Sequence, residues 1–79
     1  SCAGDEKAAK EKQLADKLCR DLCCSKTMEY ELRQYIRYCF IENIDINGVV
    51  CKMYEENMMP CNDKREGKKR FEQLKSRLL

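Results

Sequence analysis

Seven cysteines, at Cys2, Cys19, Cys23, Cys24, Cys39, Cys51 and Cys61, are spread over a chain of 79 residues. At that density a short chain reads as a disulfide scaffold. Such scaffolds persist only in an oxidising compartment, so the expected setting is extracellular and the protein is expected to be secreted. The number is odd. Three internal bridges leave one thiol over, either free or joined to a second chain in a disulfide-linked homodimer.

The whole chain, 1–79, reads as one small disulfide-rich domain. A core of that size gives marginal stability, and each bridge is expected to add about 2–4 kcal/mol. No apolar run approaches the ~18 residues of a membrane span. No signal-peptide pattern is present, and in a secreted chain Ser1 is expected to be the end left by its removal.

Punctuation is sparse, with three glycines and one proline, Pro60. Strands need turn residues and β-branched alternation, and neither is present. Lys, Glu, Leu, Arg and Met dominate, all good helix formers. The pattern predicts an all-α fold, a stapled bundle of three to four helices.

The first helix is expected from about Asp5 to Cys24, with Leu14, Leu18 and Leu22 as its apolar stripe and Ala15 and Cys19 beside them. Thr27 is the expected N-cap of a second helix over Met28 to Asn43. There Met28, Leu32, Tyr35, Ile36 and Cys39 form one face, and Tyr30, Tyr38 and Ile41 another. Apolar residues on two sides mark a helix that is central in the bundle or contributes to an interface, and burial is the commoner explanation. A turn is expected at Asp45-Ile46-Asn47-Gly48, then a short helix from Val49 to Met58 that ends before Pro60. Asn62-Asp63 reads as the cap of a last helix reaching nearly to Leu79, with Glu66 as partner in a capping box.

On helical spacing, Cys19 and Cys23 share a face, and adjacent Cys23 and Cys24 are poorly placed to bond to each other. In an antiparallel hairpin of the first two helices Cys39 lies far from Cys19 and Cys23. Cys2 is therefore expected to bond Cys39 or Cys51, while Cys19 and Cys23 reach Cys51 and Cys61. Cys24 lies off the leucine stripe and is nominated as the free or interchain thiol, with Cys2 near the chain start as the alternative.

Other uses of cysteine fit poorly. Zinc sites favour paired C-x2-C spacings and often His, and the chain has neither. Cys51 and Cys61 are spaced as in mitochondrial coiled-coil-helix proteins, but those carry two such motifs. A nucleophilic cysteine needs an activating base, and without His no enzyme, cofactor or metal is expected.

Charge is asymmetric. From Asn62 onward there are seven Lys/Arg against three acids, while the preceding residues carry nine against eleven. Phe71, Leu74 and Leu78 form a narrow apolar stripe with Gly67 on its side. Lys64, Lys68 and Lys75 flank one edge, Arg70 and Arg77 the other, and Lys69 lies within Gly67-Lys68-Lys69-Arg70, a sequence of the kind at which prohormones are cleaved and amidated. This basic face suits an acidic partner such as anionic lipid headgroups or the outer vestibule of a channel. The net charge of +2 is too small to argue for nucleic acid.

A stapled, secreted helical bundle resembles the helical venom peptides of arthropods, including centipede scoloptoxins, and is similar in outline to the hyperglycaemic-hormone peptides. The hormone family's cysteine spacing, with its C-x2-C, is not that of this chain, so no residue's role is carried over. What the resemblance implies is a ligand of a membrane receptor or ion channel: a venom neurotoxin that modulates a channel, or else a hormone or pheromone-like ligand. The basic helix adds a third reading, a membrane-active antimicrobial peptide.

Overall fold

A computed structural model describes residues 2–79, with side chains from Gly4 onward. The chain forms four helices: α1 (Cys2–Asp21), α2 (Lys26–Ile41), α3 (Ile46–Glu55) and α4 (Lys64–Leu78). No strand occurs among the described residues, so the all-α bundle expected from composition is the fold.

Each later helix starts on a side chain that accepts the amide three residues on. Ser25 accepts from Met28 at 3.1 Å, Asp45 from Gly48 at 2.9 Å and Asp63 from Glu66 at 2.8 Å. These bonds satisfy amides that a helix start leaves without partners. The expected cap at Thr27 is corrected to Ser25, which puts Thr27 inside α2. Asp63 is the cap read from the sequence, and Glu66 reaches back to the Asn62 amide at 2.8 Å.

The first three helices also stop alike. Cys23, Asn43 and Asn57 follow them with φ of 52°, 57° and 59°. The next amide then bonds a carbonyl five residues back: Cys24 to Cys19 at 3.2 Å, Ile44 to Cys39 at 2.8 Å and Met58 to Met53 at 3.0 Å. This is the Schellman termination, which occupies carbonyls the helix end leaves open. The left-handed residue of the second connection is thus Asn43, not the Asn47-Gly48 pair. Asn47 and Gly48 lie in the first turn of α3 once Asp45 caps it.

The core draws on all four helices. Leu18 of α1 and Leu22 just past its end, Leu32, Ile36 and Cys39 of α2, Ile46 and Met53 of α3, and Phe71 and Leu74 of α4 are buried, as are Met59 and Cys61 of the last connection. The leucine stripe of α1 and the apolar stripe of α4 both point inward as their spacing predicts. Arg33 on α2 bonds Asp16 on α1 at 2.8 Å, near the register of an antiparallel hairpin. The second apolar side of α2 is not core: Tyr30, Tyr38 and Ile41 are all exposed. No further helix among the described residues covers that side.

Candidate functional site

The basic face divides into two groups with different work. Arg70, Lys75 and Arg77 are tied into the fold. Arg70 donates Nε–H to the Met58 carbonyl at 2.9 Å and an Nη–H to Gln73 at 2.9 Å. Arg77 makes a forked pair with Glu56, at 2.6 and 3.1 Å, binding α4 to the end of α3. That guanidinium holds the Glu56 carboxyl below its ordinary range, chiefly by the hydrogen bond. Lys75 bridges Glu72 at 3.0 Å, with its ammonium over the Phe71 ring at 4.5 Å from the centroid.

Lys64, Lys68 and Lys69 are exposed instead, and Arg65 stands exposed among them. At helical spacing the four lie on the outward side of the first two turns of α4. No ion pair engages any of them among the described residues. The nearby carboxylates of Asp63 and Glu66 are occupied with backbone amides. Lys64 and Arg65 occupy the first turn, where the helix dipole disfavours cations. Helix stability therefore gives no reason for the cluster. Arg65 escaped the sequence reading, which followed the edges of the Phe71 stripe; a wheel drawn from the Asp63 cap places it between Lys64 and Lys69.

Gly67 explains why α4 can carry this face so close to α1. It is buried, and a Cβ there would collide with the Leu22 carbonyl. The Gly67-Lys68-Lys69-Arg70 stretch is thus mid-helix and pinned at both ends, by Gly67 against Leu22 and by Arg70 on Met58.

The cysteines gather unevenly. Cys19, Cys23, Cys24, Cys39, Cys51 and Cys61 stand as thiols, and no bridge joins any two of them. Cys2, expected to bond Cys39 or Cys51, lies outside the residues whose side chains are described. Cys39 is fully buried in the core, and burial pushes its thiol pKa up. Cys51 is exposed beside a groove of about 570 Å³ between α1 and α3, edged by Lys10, Lys17 and Tyr54.

Two helical-wheel expectations fail for one reason: α1 ends at Asp21. Cys23 is therefore beyond the helix, not on the Cys19 face, and its thiol donates to the Cys61 carbonyl at 3.1 Å. Cys24 does not point away from the core. The Schellman turn folds it back, half-buried, with its amide on the Cys19 carbonyl at 3.2 Å. Burial, with Cys19 alongside, pushes the Cys24 pKa up to about 12. Cys19 and Cys61 are also raised, first by burial.

Among the described residues no three His, Cys, Asp or Glu side chains converge as metal ligands. Among the described residues no helix is long and apolar enough to cross a membrane. In comparisons with known proteins, the chain matches no family model, no curated protein and no solved structure.

Proposed function

We propose that this chain is a secreted, disulfide-stapled helical ligand that binds and modulates a membrane ion channel. Its contact surface is the outward cluster Lys64, Arg65, Lys68 and Lys69, set against acidic residues of the channel's outer mouth. The observation that carries the reading is that, among the described residues, four neighbouring cations have no carboxylate partner and no structural task, while every other cation of the basic face on α4 has one. A rigid, concentrated positive patch steers toward acidic surfaces and raises association rates. The cysteine density supports an extracellular setting.

The membrane-active alternative has less support. Bilayer insertion needs a free apolar helix face. Phe71 and Leu74 of α4 are buried against the bundle. A hormone-like receptor ligand would use the same patch in the same way, and differs only in whose membrane carries the target.

Voltage-clamp recording on cells expressing a panel of voltage-gated channels tests the proposal. The oxidised chain is expected to shift gating or block current in at least one channel. The variant with Lys64, Arg65, Lys68 and Lys69 all changed to Gln is expected to lose at least tenfold in potency. Silence on every channel removes the channel reading, and unchanged potency of the variant removes the patch from it.

A further inference from the structure

Three helices share one termination, and one of the three uses an unexpected residue. Asn43 and Asn57 suit a left-handed backbone, because Asn is enriched there and Gly is freest of all. Cys23 takes the same φ, 52°, with no such preference. The backbone at this position asks for Gly or Asn. A reason for cysteine must come from its side chain.

The surroundings supply that reason. Cys23 extends toward the last connection, where its Sγ lies 3.1 Å from the Cys61 carbonyl oxygen. Cys61 is itself anchored to the same place, since its amide donates to the Asp21 carbonyl at 2.7 Å. On the other side of the turn, the Schellman geometry lays the second residue past the helix onto the third from its end. After α2 that contact is Ile44 over Cys39, a plain apolar pair within the core. After α1 both places are cysteine, Cys24 over Cys19, with the Cys24 amide on the Cys19 carbonyl at 3.2 Å and both side chains packed half-buried against the core.

We propose that the end of α1 is a two-disulfide hub, in which Cys19 bonds Cys24 and Cys23 bonds Cys61. The first bridge locks the helix cap. The second closes a span of 38 residues and ties the end of α1 to the start of α4. It does so beside the point where Gly67 meets Leu22. The adjacent pair Cys23 and Cys24 then serves two partners, because the left-handed residue turns their side chains to opposite sides of the connection. Cys39 stays a core thiol and Cys51 an exposed one outside the hub.

The oxidant is a small-molecule disulfide of the glutathione class. A thiolate of the pair attacks one sulfur of glutathione disulfide, forming a mixed disulfide and expelling glutathione thiolate. The partner thiolate then attacks the protein sulfur of that mixed disulfide and expels the second glutathione. Each bridge consumes one glutathione disulfide, and the two protons leave on the two glutathiones. None of this depends on the target of the basic face, and it is read on the purified chain alone.

The test is disulfide mapping of the full chain after equilibration with glutathione and glutathione disulfide, followed by alkylation of remaining thiols and tryptic digestion without reduction. Cleavage after Lys17, Arg20, Lys26, Lys52 and Lys64 separates Cys19, the Cys23-Cys24 pair and Cys61 into three peptides. These are expected to travel as one linked species, with Cys39 and Cys51 outside it. Two variants resolve the adjacent pair. Cys23→Asn, a residue the same turn uses twice elsewhere, is expected to keep the Cys19 link and release the Cys61 peptide. Cys24→Ser is expected to do the reverse. Alkylated Cys19 or Cys61 in the oxidised chain, a Cys23–Cys24 bond, or a Cys19–Cys61 link in native protein would each overturn the assignment.

Discussion

The Leu22 carbonyl occupies the space into which any side chain at Gly67 would grow: a Cβ there would lie 2.7 Å from the Leu22 carbonyl carbon and closer still to its oxygen. The obstacle is backbone, so it cannot rotate aside. Gly67→Ala is expected to push α4 off the end of α1 and to cost about 1–3 kcal/mol or more, the range of an overpacked core. Gly4, with nothing within 4 Å of its Cβ position, is the control. Gly4→Ala is expected to be neutral or to stabilise by up to about 1 kcal/mol through helix propensity. Urea unfolding followed by circular dichroism reads both, and equal effects at the two sites would contradict the packing.

Asn43 and Asn57 tell a second story about helix ends. Each holds a left-handed φ that a residue with an ordinary Cβ resists. Asn→Ala at either site is expected to cost about 1 kcal/mol, and Asn→Gly to be neutral or stabilising. Should the Gly variants lose as much as the Ala variants in thermal melts, the side chain rather than the backbone is what matters there.

Titration is expected to destabilise the fold at both extremes of pH. Asp16 and Glu56 are held below their ordinary values of 3.8 and 4.5, in each case first by the hydrogen bond from an arginine, Arg33 or Arg77. Their stabilisation is present above those values and is lost as pH falls through the lower folded ones. The reduced thiols of Cys19, Cys24, Cys39 and Cys61 are raised above 9.0, chiefly by burial. Their contribution is present below 9.0 and disappears as pH climbs through the raised values. Melting temperature of the reduced chain is expected to be flat near neutrality and to fall on either side, and oxidation of the hub is expected to blunt the alkaline fall. An alkaline fall that survives hub oxidation unchanged would show that the hub thiols Cys19, Cys24 and Cys61 do not cause it.

The outward cations separate binding from folding. Changing Lys64, Arg65, Lys68 and Lys69 to Gln is expected to leave the melting temperature unchanged or to raise it, since two of them oppose the α4 dipole and none makes an ion pair among the described residues. Arg77→Gln is expected to lower it instead by freeing the ends of α3 and α4, which the forked pair with Glu56 joins. A melt in which the four-residue variant is the less stable of the two would mean the cluster is structural after all.

Much of the architecture is readable from residue order alone. Leu14, Leu18 and Leu22, or Phe71 and Leu74, repeat at helical spacing, and that spacing both makes the helix and selects its buried side. Asp63 with Glu66 is a start signal readable in four consecutive positions. Thr27 misled because Ser25, two residues earlier, is an equally good acceptor, and only the path of the connection chooses between them.

What tertiary structure alone decided is which groups meet across that order. The left-handed turn at Cys23 ends the helical wheel, sends Cys24 back to Cys19 and brings Cys23 to Cys61, contacts that no periodicity encodes. The exposure of Tyr30, Tyr38 and Ile41 likewise depends on no described helix packing over that side of α2. Among the basic residues, spacing identified a charged face, yet only the positions of Met58, Glu56 and Glu72 separate the cations held by the fold from the four that no described ion pair engages. Local chemistry sets the helices because its interactions span a few residues; the pairing of distant side chains is set by how those helices dock, and one carbonyl against one glycine controls that docking at the end of α1.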